Sequence, residues 1–187
     1  MRIAGLAGRI VQKVGVVPQQ IGAGDIYAAL ERGTIDAAEW VGPFDDEKLG
    51  FAKVAPFYYA PGWWEAGPST NLFINKAKWE ELPQSYRAIV QAAAAEATQV
   101  MLTRYDADNT AALKRLVGGN VQLRFFSREI LDACWKATDE VYAEIAASNP
   151  IFKQMLDHWT TFRKDTATWF AIAETSLEAY TQSALRR

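Results

Sequence analysis

The alternation of short apolar runs with helical repeats over residues 1–41 constrains the fold more than any other feature of the chain. Runs typical of strands cover residues 1–4, 16–21 and 34–41, and runs with helical periodicity cover residues 5–15 and 25–32. Strands that alternate with helices over so short a length favour parallel pairing. We therefore predict an α/β region in which ligands bind beyond the carboxyl ends of the strands.

The rest of the chain is predicted to be mostly helical. Long helices are predicted over residues 84–117, 127–148 and 151–185, with a buried strand at 71–75 and a further strand at 121–126. A chain of 187 residues suffices for one domain, or for one lobe of a larger protein. We divide it into an α/β region that carries the ligand site, residues 1–75, and a mainly helical region, residues 76–187.

Apolar side chains recur along the last predicted helix at alternating spacings of four and three residues. The members of this seam are Met155, Trp159, Phe162, Thr166, Trp169 and Ala173, and their spacing is close to a heptad repeat. Such a seam packs against the chain's own sheet or against a partner, and the spacing does not distinguish the two. A homodimer through the C-terminal helix is one expectation, and packing within the chain is the other.

Charge and composition exclude several classes of protein. The formal net charge is −2 and no basic patch stands out, so nucleic acid is not expected as a partner. A single cysteine excludes an intrachain disulfide. No apolar run approaches the ~20 residues that a membrane-spanning helix requires, and no signal peptide is recognisable in the sequence.

Two glutamates stand next to tryptophans after predicted strands: Glu39 precedes Trp40, and Glu65 follows Trp63 and Trp64. Carboxylate and carbonyl oxygens are the ligands that hard cations such as Na⁺ and Ca²⁺ prefer, and flat indole walls fit a small organic molecule. By spacing alone, ordinary surface salt bridges are the more common explanation of two such carboxylates. One histidine and one cysteine disfavour a zinc site, because zinc prefers several nitrogen and sulfur ligands.

Arg2 and the paired tryptophans complete the candidate binding residues. Arg2 begins the first predicted strand, where a solvated terminal arginine is the simpler interpretation and a bidentate grip on a substrate carboxylate is the functional one. Adjacent residues of an extended segment point to opposite faces, so one of Trp63 and Trp64 is expected to fill the core and the other to face a cleft.

Three other features receive structural interpretations. The acidic run from Asp45 to Glu47 is typical of a helix N-terminus, where negative charge is favourable. Cys134 lies in a helical repeat and is expected to be a small buried hydrophobe. His158, the one histidine, has no serine or cysteine at the spacing of a catalytic triad.

The motifs together resemble the solute-binding subunits of TRAP transporters, the tripartite ATP-independent periplasmic carriers of the DctP-like family. The resemblance covers essentially the whole chain. Its wider part is carried by Met-Arg-Ile-Ala-Gly-Leu-Ala-Gly from residue 1, Val-Val-Pro-Gln-Gln-Ile from residue 16 and Ala-Leu-Glu-Arg-Gly-Thr-Ile-Asp-Ala from residue 29. The Glu-Trp pair from residue 39 and Pro-Gly-Trp-Trp-Glu-Ala-Gly-Pro from residue 61 are narrower, and are similar to the branch that binds 2-oxo acids such as pyruvate.

This resemblance implies a type II-like periplasmic binding protein with two lobes that close on a ligand. Residues 1–187 are then expected to form the second lobe, an α/β fold with a small mixed sheet and long C-terminal helices. Because family members begin with a signal peptide and a first lobe, the chain is expected to be a C-terminal fragment. A periplasmic location, the membrane subunits of a TRAP transporter as partners and no enzymatic activity are also implied.

The resemblance also assigns roles to individual residues. Arg2 matches the arginine that pairs with the ligand carboxylate, and Trp40 and Trp64 are expected to contact the ligand. Glu39, the backbone carbonyl of Trp40 and Glu65 match the ligands of one bound cation, Na⁺ or Ca²⁺. The expected function is to bind a small 2-oxo or 2-hydroxy monocarboxylate, such as pyruvate, through that cation and the arginine.

Two alternatives come from other classes of protein. A metal-dependent enzyme acting on keto acids could use two carboxylates and a cation to polarise a carbonyl group, although the sequence offers no evident base or nucleophile. A dimeric interaction module built on the long helices is the other alternative, and it predicts a dimer that is indifferent to small acids.

Overall fold

A computed structural model describes residues 1–65, 67 and 70–186 of the chain. The helices are α1 (Gly5–Lys13), α2 (Ala23–Glu31), α3 (Pro43–Lys48), α4 (Lys76–Glu81), α5 (Gln84–Gly118), α6 (Arg128–Ser148), α7 (Pro150–Phe170) and α8 (Ser176–Ala184). The described residues also form two strands, β1 (Phe57–Ala60) and β2 (Gln122–Phe125), a 3₁₀ turn at Phe51–Lys53 and a π-helical turn at Ala171–Thr175. The chain divides into two compact units, Met1–Cys134 and Trp135–Arg187.

Parallel bridges centred on Arg2 organise the start of the first unit. Arg2 pairs in parallel with Gln19 on one side and with Ala38 on the other, and α1 and α2 form the connections. The core beneath these bridges consists of Ile3, Ile10, Val11, Ile26 and Ile35. The predicted α/β class and the predicted parallel pairing are therefore confirmed.

The extent of these predicted strands was wrong, because each segment pairs at one position instead of along its length. In the segment 34–41 only Ala38 is bridged. Gly33 turns the chain sharply with a φ of 67°, and α3 begins at Pro43. The chain also bends at Thr34, Asp36 and Val41, and a segment bent at these positions is not straight enough for a longer ladder.

β1 and β2 form a two-stranded parallel sheet in the first unit, with a register that runs from Phe57 opposite Gln122 to Ala60 opposite Phe125. The long connection through α4 and α5 makes this direction possible, because parallel strands cannot be joined by a tight hairpin. The expectation of a mixed sheet is corrected to this extent: every strand pair among the described residues is parallel.

The predicted buried strand at 71–75 was wrong. The structure assigns no strand to this segment, and its side chains are exposed, with 90% of Phe73 accessible to solvent. An apolar run becomes a buried strand only where another segment offers it backbone partners and a packing face. Within the described residues this segment has neither a strand partner nor a burying surface.

The second unit is built from the later part of α6 with α7 and α8. Tyr142 of α6 meets the rings of Phe152 and Trp159 of α7 edge to face, at centroid distances of 6.0 and 6.3 Å. The guanidinium of Arg163 lies over the rings of Trp135 and Trp159, 4.6 and 5.2 Å from their centroids. Aromatic and cation–π contacts therefore hold the two helices together.

The last predicted helix, 151–185, is interrupted. α7 ends at Phe170, the π-helical turn occupies Ala171–Thr175, and α8 follows to Ala184. Four members of the predicted seam, Met155, Trp159, Phe162 and Trp169, are exposed large hydrophobic side chains. The exposed apolar side chains of this seam could pack against a partner chain, and the oligomeric state in solution decides whether they do.

None of the helices in the described part of the chain is both long and apolar enough to cross a membrane. The division into residues 1–75 and 76–187 stays a prediction, and its last residue, Arg187, lies outside the described residues.

Candidate functional site

Backbone pairing brings Arg2, the predicted carboxylate-binding residue, next to Glu39, a predicted cation ligand. The Arg2 N–H donates to the carbonyl of Ala37 at 2.8 Å, and the Glu39 N–H donates to the carbonyl of Arg2 at 2.9 Å. A residue held by two such bonds lies beside its partner in a parallel pair. Glu39 therefore lies next to Arg2, although 37 positions separate the two in the sequence.

The side chains of Arg2 and Glu39 form an ion pair that is largely withdrawn from solvent. Nη1 of Arg2 donates to Oε2 of Glu39 at 3.1 Å and to the Glu39 carbonyl at 2.7 Å, and Nε donates to the Ile21 carbonyl at 3.3 Å. Only 15% of the Arg2 side chain and 13% of the Glu39 side chain are exposed. The simpler interpretation of Arg2 as a solvated terminal residue was wrong, because backbone pairing draws it between two segments.

Trp40 supports the same guanidinium. Cζ of Arg2 lies 4.8 Å from the centroid of the Trp40 ring, a distance at which the ring quadrupole attracts a cation. Arg2 is therefore held by a carboxylate, two backbone carbonyls and an indole, and this set of contacts fixes the direction in which its donors point.

The Glu39 carboxylate stands in competing fields. Burial raises the pKa of Glu39 above its ordinary value, and the positive charge of Arg2 acts in the opposite direction. The negative charges of Glu65 and Asp46 raise the pKa of Glu39 further. A bound cation stabilises the ionised form of a carboxylate that other negative charges disfavour in this way.

The second predicted carboxylate follows the carboxyl end of β1. Glu65 is exposed, and with Glu39, Trp40 and Trp64 it lines a cavity of about 1070 Å³ within the first unit. Arg2 does not line the cavity itself, but it contacts Glu39 and Trp40, which both line it. The structure thus brings the predicted residues together around one hollow, with the arginine behind the glutamate and the indole that it contacts.

Trp63 differs from the expectation that one of the paired indoles fills the core. Both Trp63 and Trp64 line the cavity, and their rings meet edge to face at 5.3 Å. The reason is that both lie in a turn, where adjacent side chains do not alternate between faces as they do in a strand. Ala66 and Pro68 of the same motif lie outside the described residues.

Asp46 and Tyr58 belong to this region and were missed by sequence reasoning. Both line the cavity, and the Tyr58 hydroxyl donates to Oδ2 of Asp46 at 2.6 Å. Burial raises the pKa of Asp46, although the hydrogen bond from Tyr58 acts against that shift, and burial also raises the pKa of Tyr58. The acidic run was interpreted only as a helix N-terminus, and nothing in the local pattern marks Asp46 as its buried member.

The donor set fits a hard cation. Glu39, Glu65 and the backbone of Trp40 offer oxygen atoms around one cavity, which suits Na⁺ or Ca²⁺. Cys134 also lines the cavity, but burial raises the pKa of its thiol and so favours the protonated form, which is not a ligand for soft metals. Among the described residues no group of three or more His, Cys, Asp and Glu is close enough to hold a metal ion. Two glutamates and carbonyl groups would thus be this chain's share of a coordination shell.

Residues 1–149 match the DctP model, described as bacterial extracellular solute-binding protein, family 7. The matched stretch contains the whole candidate site.

Similar proteins are described as binding carboxylates or cations. A monocarboxylate 2-oxoacid-binding periplasmic protein of Nostoc sp. strain PCC 7120 is 45% identical over 98% of this chain and 50% of its own length. A TRAP transporter solute-binding protein of Bordetella bronchiseptica RB50, solved as a mixed-occupancy dimer with calcium and picolinate, has a TM-score of 0.96 and 50% identity over 100% of this chain and 56% of its own. One from Pseudoalteromonas atlantica T6c, solved with sodium and pyruvate, has a TM-score of 0.87 and 35% identity over 98% of this chain and 55% of its own. This chain thus spans about half the length of the relatives it matches.

Proposed function

The chain belongs to family 7 of the bacterial extracellular solute-binding proteins, and from that premise we propose that it binds a small 2-oxo or 2-hydroxy monocarboxylate, pyruvate or a close analogue, together with one Na⁺ or Ca²⁺. The relatives named above support both parts of the proposal, because two of them were solved with a carboxylate and a cation together. The same comparisons give no support to an enzyme acting on keto acids or to a helical interaction module.

The observation that carries the proposal is the partly buried ion pair between Arg2 and Glu39. Its two members have the charges needed to hold an anion and a cation side by side. Glu39 and Glu65, with the carbonyl of Trp40, are proposed to hold the cation, which would supply a positive centre for the carboxylate and oxo oxygens of the ligand. Arg2 is proposed to hold the ligand carboxylate.

The ion pair suggests how the two binding events depend on each other. Oε2 of Glu39 accepts from Nη1 of Arg2 in the structure, and a Glu39 side chain that turned toward a cation would leave Nη1 bonded only to the Glu39 carbonyl. Arg2 then has a charged donor without its carboxylate partner, and a buried charge of that kind is costly until another anion replaces it. Cation and carboxylate are therefore expected to bind as a linked pair.

Charge balance favours the same conclusion. Arg2, Glu39 and Glu65 carry a net charge of −1 when all three are ionised, from one guanidinium and two carboxylates. A monocarboxylate ligand makes this −2, which one Ca²⁺ neutralises and one Na⁺ halves. Binding of the acid without a cation would bring an anion toward two carboxylates, and this repulsion opposes binding.

Location and partners are proposed on the same basis. We infer a periplasmic protein that delivers its ligand to the membrane subunits of a TRAP transporter, and whose residues 1–187 correspond to a second lobe. The exposed seam of α7, from Met155 to Trp169, is proposed to support a homodimer; the Bordetella relative, solved as a mixed-occupancy dimer, supports the dimer but not this particular interface.

Tryptophan fluorescence during a pyruvate titration tests the proposal, because Trp40 and Trp64 line the cavity. The titration is run with calcium, with sodium and with a chelator. It uses this chain and a fusion of it to the part of the Nostoc relative that it does not match. A saturable change that requires the cation supports the proposal. A cation-dependent change in neither protein would overturn it.

A further inference from the structure

Asp46 is the buried charged side chain among the residues that the structure describes, with 8% of its surface exposed. Oδ2 accepts the 2.6 Å hydrogen bond from the Tyr58 hydroxyl, and Oδ1 accepts a longer one, 3.5 Å, from the Val41 N–H. The Asp46 N–H donates to the Gly42 carbonyl at 2.9 Å. One residue therefore joins α3, β1 and the segment that directly follows Trp40.

These contacts lie next to the proposed cation ligands. Val41 directly follows Glu39 and Trp40 in the sequence. The carboxylate of Glu39 and the carbonyl of Trp40 are proposed cation ligands. Asp46 also acts on Glu39 through its charge. Any shift or rotation of the Trp40–Val41 peptide group moves the Trp40 carbonyl, because the C=O of Trp40 and the N–H of Val41 share one rigid plane.

We propose that Asp46, held in place by the hydroxyl of Tyr58, is a positioning residue for the cation site, and that it acts by fixing the Trp40–Val41 peptide. This inference rests on the proposed function, since it concerns the same cation. Asp46 does not need to touch the cation itself. Removing a group that does not touch the metal but hydrogen-bonds to one of its ligands and orients it commonly lowers metal affinity by about 10- to 100-fold.

Asp46 can hold this peptide because its own helix is anchored on the other side. Oδ1 of Asn109 on α5 accepts from the Phe44 N–H at 3.0 Å, at the first turn of α3. A Cβ at Gly42 would lie 3.3 Å from the same Oδ1, so the close approach leaves little room for a side chain there. Glu47 adds a two-pronged ion pair with Arg115 of α5, at 2.6 and 2.8 Å. The start of α3 is thus fixed to the long helix, with Asp46 facing the site.

The test is a titration with terbium(III), a hard cation that takes oxygen ligands and whose luminescence is excited through nearby indoles. It uses the wild-type chain, the fusion protein and two variants of each, Asp46→Asn and Tyr58→Phe. Tyr58→Phe keeps every charge, so a loss of affinity in that variant comes from position. Both variants are expected to bind terbium at least about tenfold more weakly, while the affinity for pyruvate at saturating cation changes less than twofold.

Two matched controls separate this role from simple destabilisation. Tyr59→Phe makes the same change one residue along β1, where the ring of Tyr59 stacks on Phe126 at 5.1 Å. Glu31→Gln removes the same charge as Asp46→Asn, but from the exposed end of α2, away from α3 and the Trp40–Val41 peptide. Both controls are expected to bind terbium within about twofold of the wild type.

The outcomes distinguish this inference from the function on which it rests. Terbium affinities of Asp46→Asn and Tyr58→Phe equal to that of the wild type would overturn the positioning role and leave the proposed function intact. An absence of saturable terbium binding in both the wild-type chain and the fusion would count against the cation site, and so against both.

Discussion

Nη1 of Arg2 lies 3.1 Å from Oε2 of Glu39 and 2.7 Å from the Glu39 carbonyl, so one donor meets both the side chain and the backbone of the same residue. The two residues are next to each other because a single parallel bridge places Ala38 beside Arg2. An ion pair of this kind, with little exposure, is strongly affected by the loss of either member. The next two predictions depend on this ion pair.

Replacing Glu39 by glutamine is expected to abolish cation-dependent binding of pyruvate. Glutamine keeps the size of the side chain and one oxygen, but it removes the negative charge that a hard cation requires. Isothermal titration of pyruvate into the fusion protein, with and without calcium, measures the effect. Glu31→Gln, at the exposed end of α2, removes the same charge away from the site and should behave as the wild type. Unchanged affinity in Glu39→Gln would contradict the assignment of this residue to the cation.

Replacing Arg2 by alanine is expected to weaken every carboxylate ligand, by about 2–5 kcal/mol, as truncation of one partner of a buried charge pair typically does. Arg2→Lys should recover part of this loss, because lysine keeps the charge without the planar fork. Competition titrations with pyruvate and its neutral methyl ester provide the measurement. If the wild-type fusion protein binds the ester as tightly as the acid, Arg2 does not recognise the carboxylate.

Stability in cation-free buffer should depend on pH through Asp46. The pKa of Asp46 is raised in the folded chain, with burial as the largest cause. The folded state therefore takes up a proton at higher pH than the unfolded state, whose aspartate pKa is about 3.9. The contribution of Asp46 to the free energy of unfolding increases as the pH falls from neutrality, and is complete below that unfolded value.

Urea denaturation of the wild type and of Asp46→Asn at several pH values measures this contribution, because asparagine does not titrate. The difference in unfolding free energy between the two proteins should shift in favour of the wild type as the pH is lowered from 7 toward 4. A difference that is independent of pH would show that Asp46 has an ordinary pKa in the folded chain.

Changing one apolar residue of the α7 seam should dissociate a homodimer formed through it. Phe162→Glu places a charge among exposed apolar side chains that a partner helix would bury. Light scattering over a series of protein concentrations is expected to show a dimer for the wild type and a monomer for this variant. Lys164→Glu, two positions along α7 and outside the seam, is the control. A wild-type monomer at all concentrations would exclude this interface.

Much of the local structure follows from the sequence, because helices depend on short-range periodicity and caps. In the structure, the side chains of Asn75 and Asn149 accept hydrogen bonds from the backbone N–H groups three residues on and so cap α4 and α7. The strands were harder to predict. Residues 71–75 have the composition of a strand but pair with no strand among the described residues, because the length of a pairing is set by neighbouring segments and not by the segment itself.

The candidate site shows the same division. Its residue types, carboxylates beside indoles, can be recognised in the sequence, and their roles come from family resemblance and remain proposals. The contact between Arg2 and Glu39 could not be predicted from spacing, since it spans 37 positions and depends on the pairing of two segments. The bond between Tyr58 and Asp46 was missed for a similar reason: it requires β1 to pack beside α3.

We expect the cation and the carboxylate to bind as a linked pair at Arg2 and Glu39. The most direct test measures the affinity of the fusion protein for calcium in the absence and in the presence of saturating pyruvate, and the affinity for pyruvate without and with saturating calcium. Linkage requires the two ratios to be equal, and we predict that each ligand tightens the other by about 5- to 150-fold. Both ratios equal to one would mean that the two ligands bind independently, and would contradict the claim.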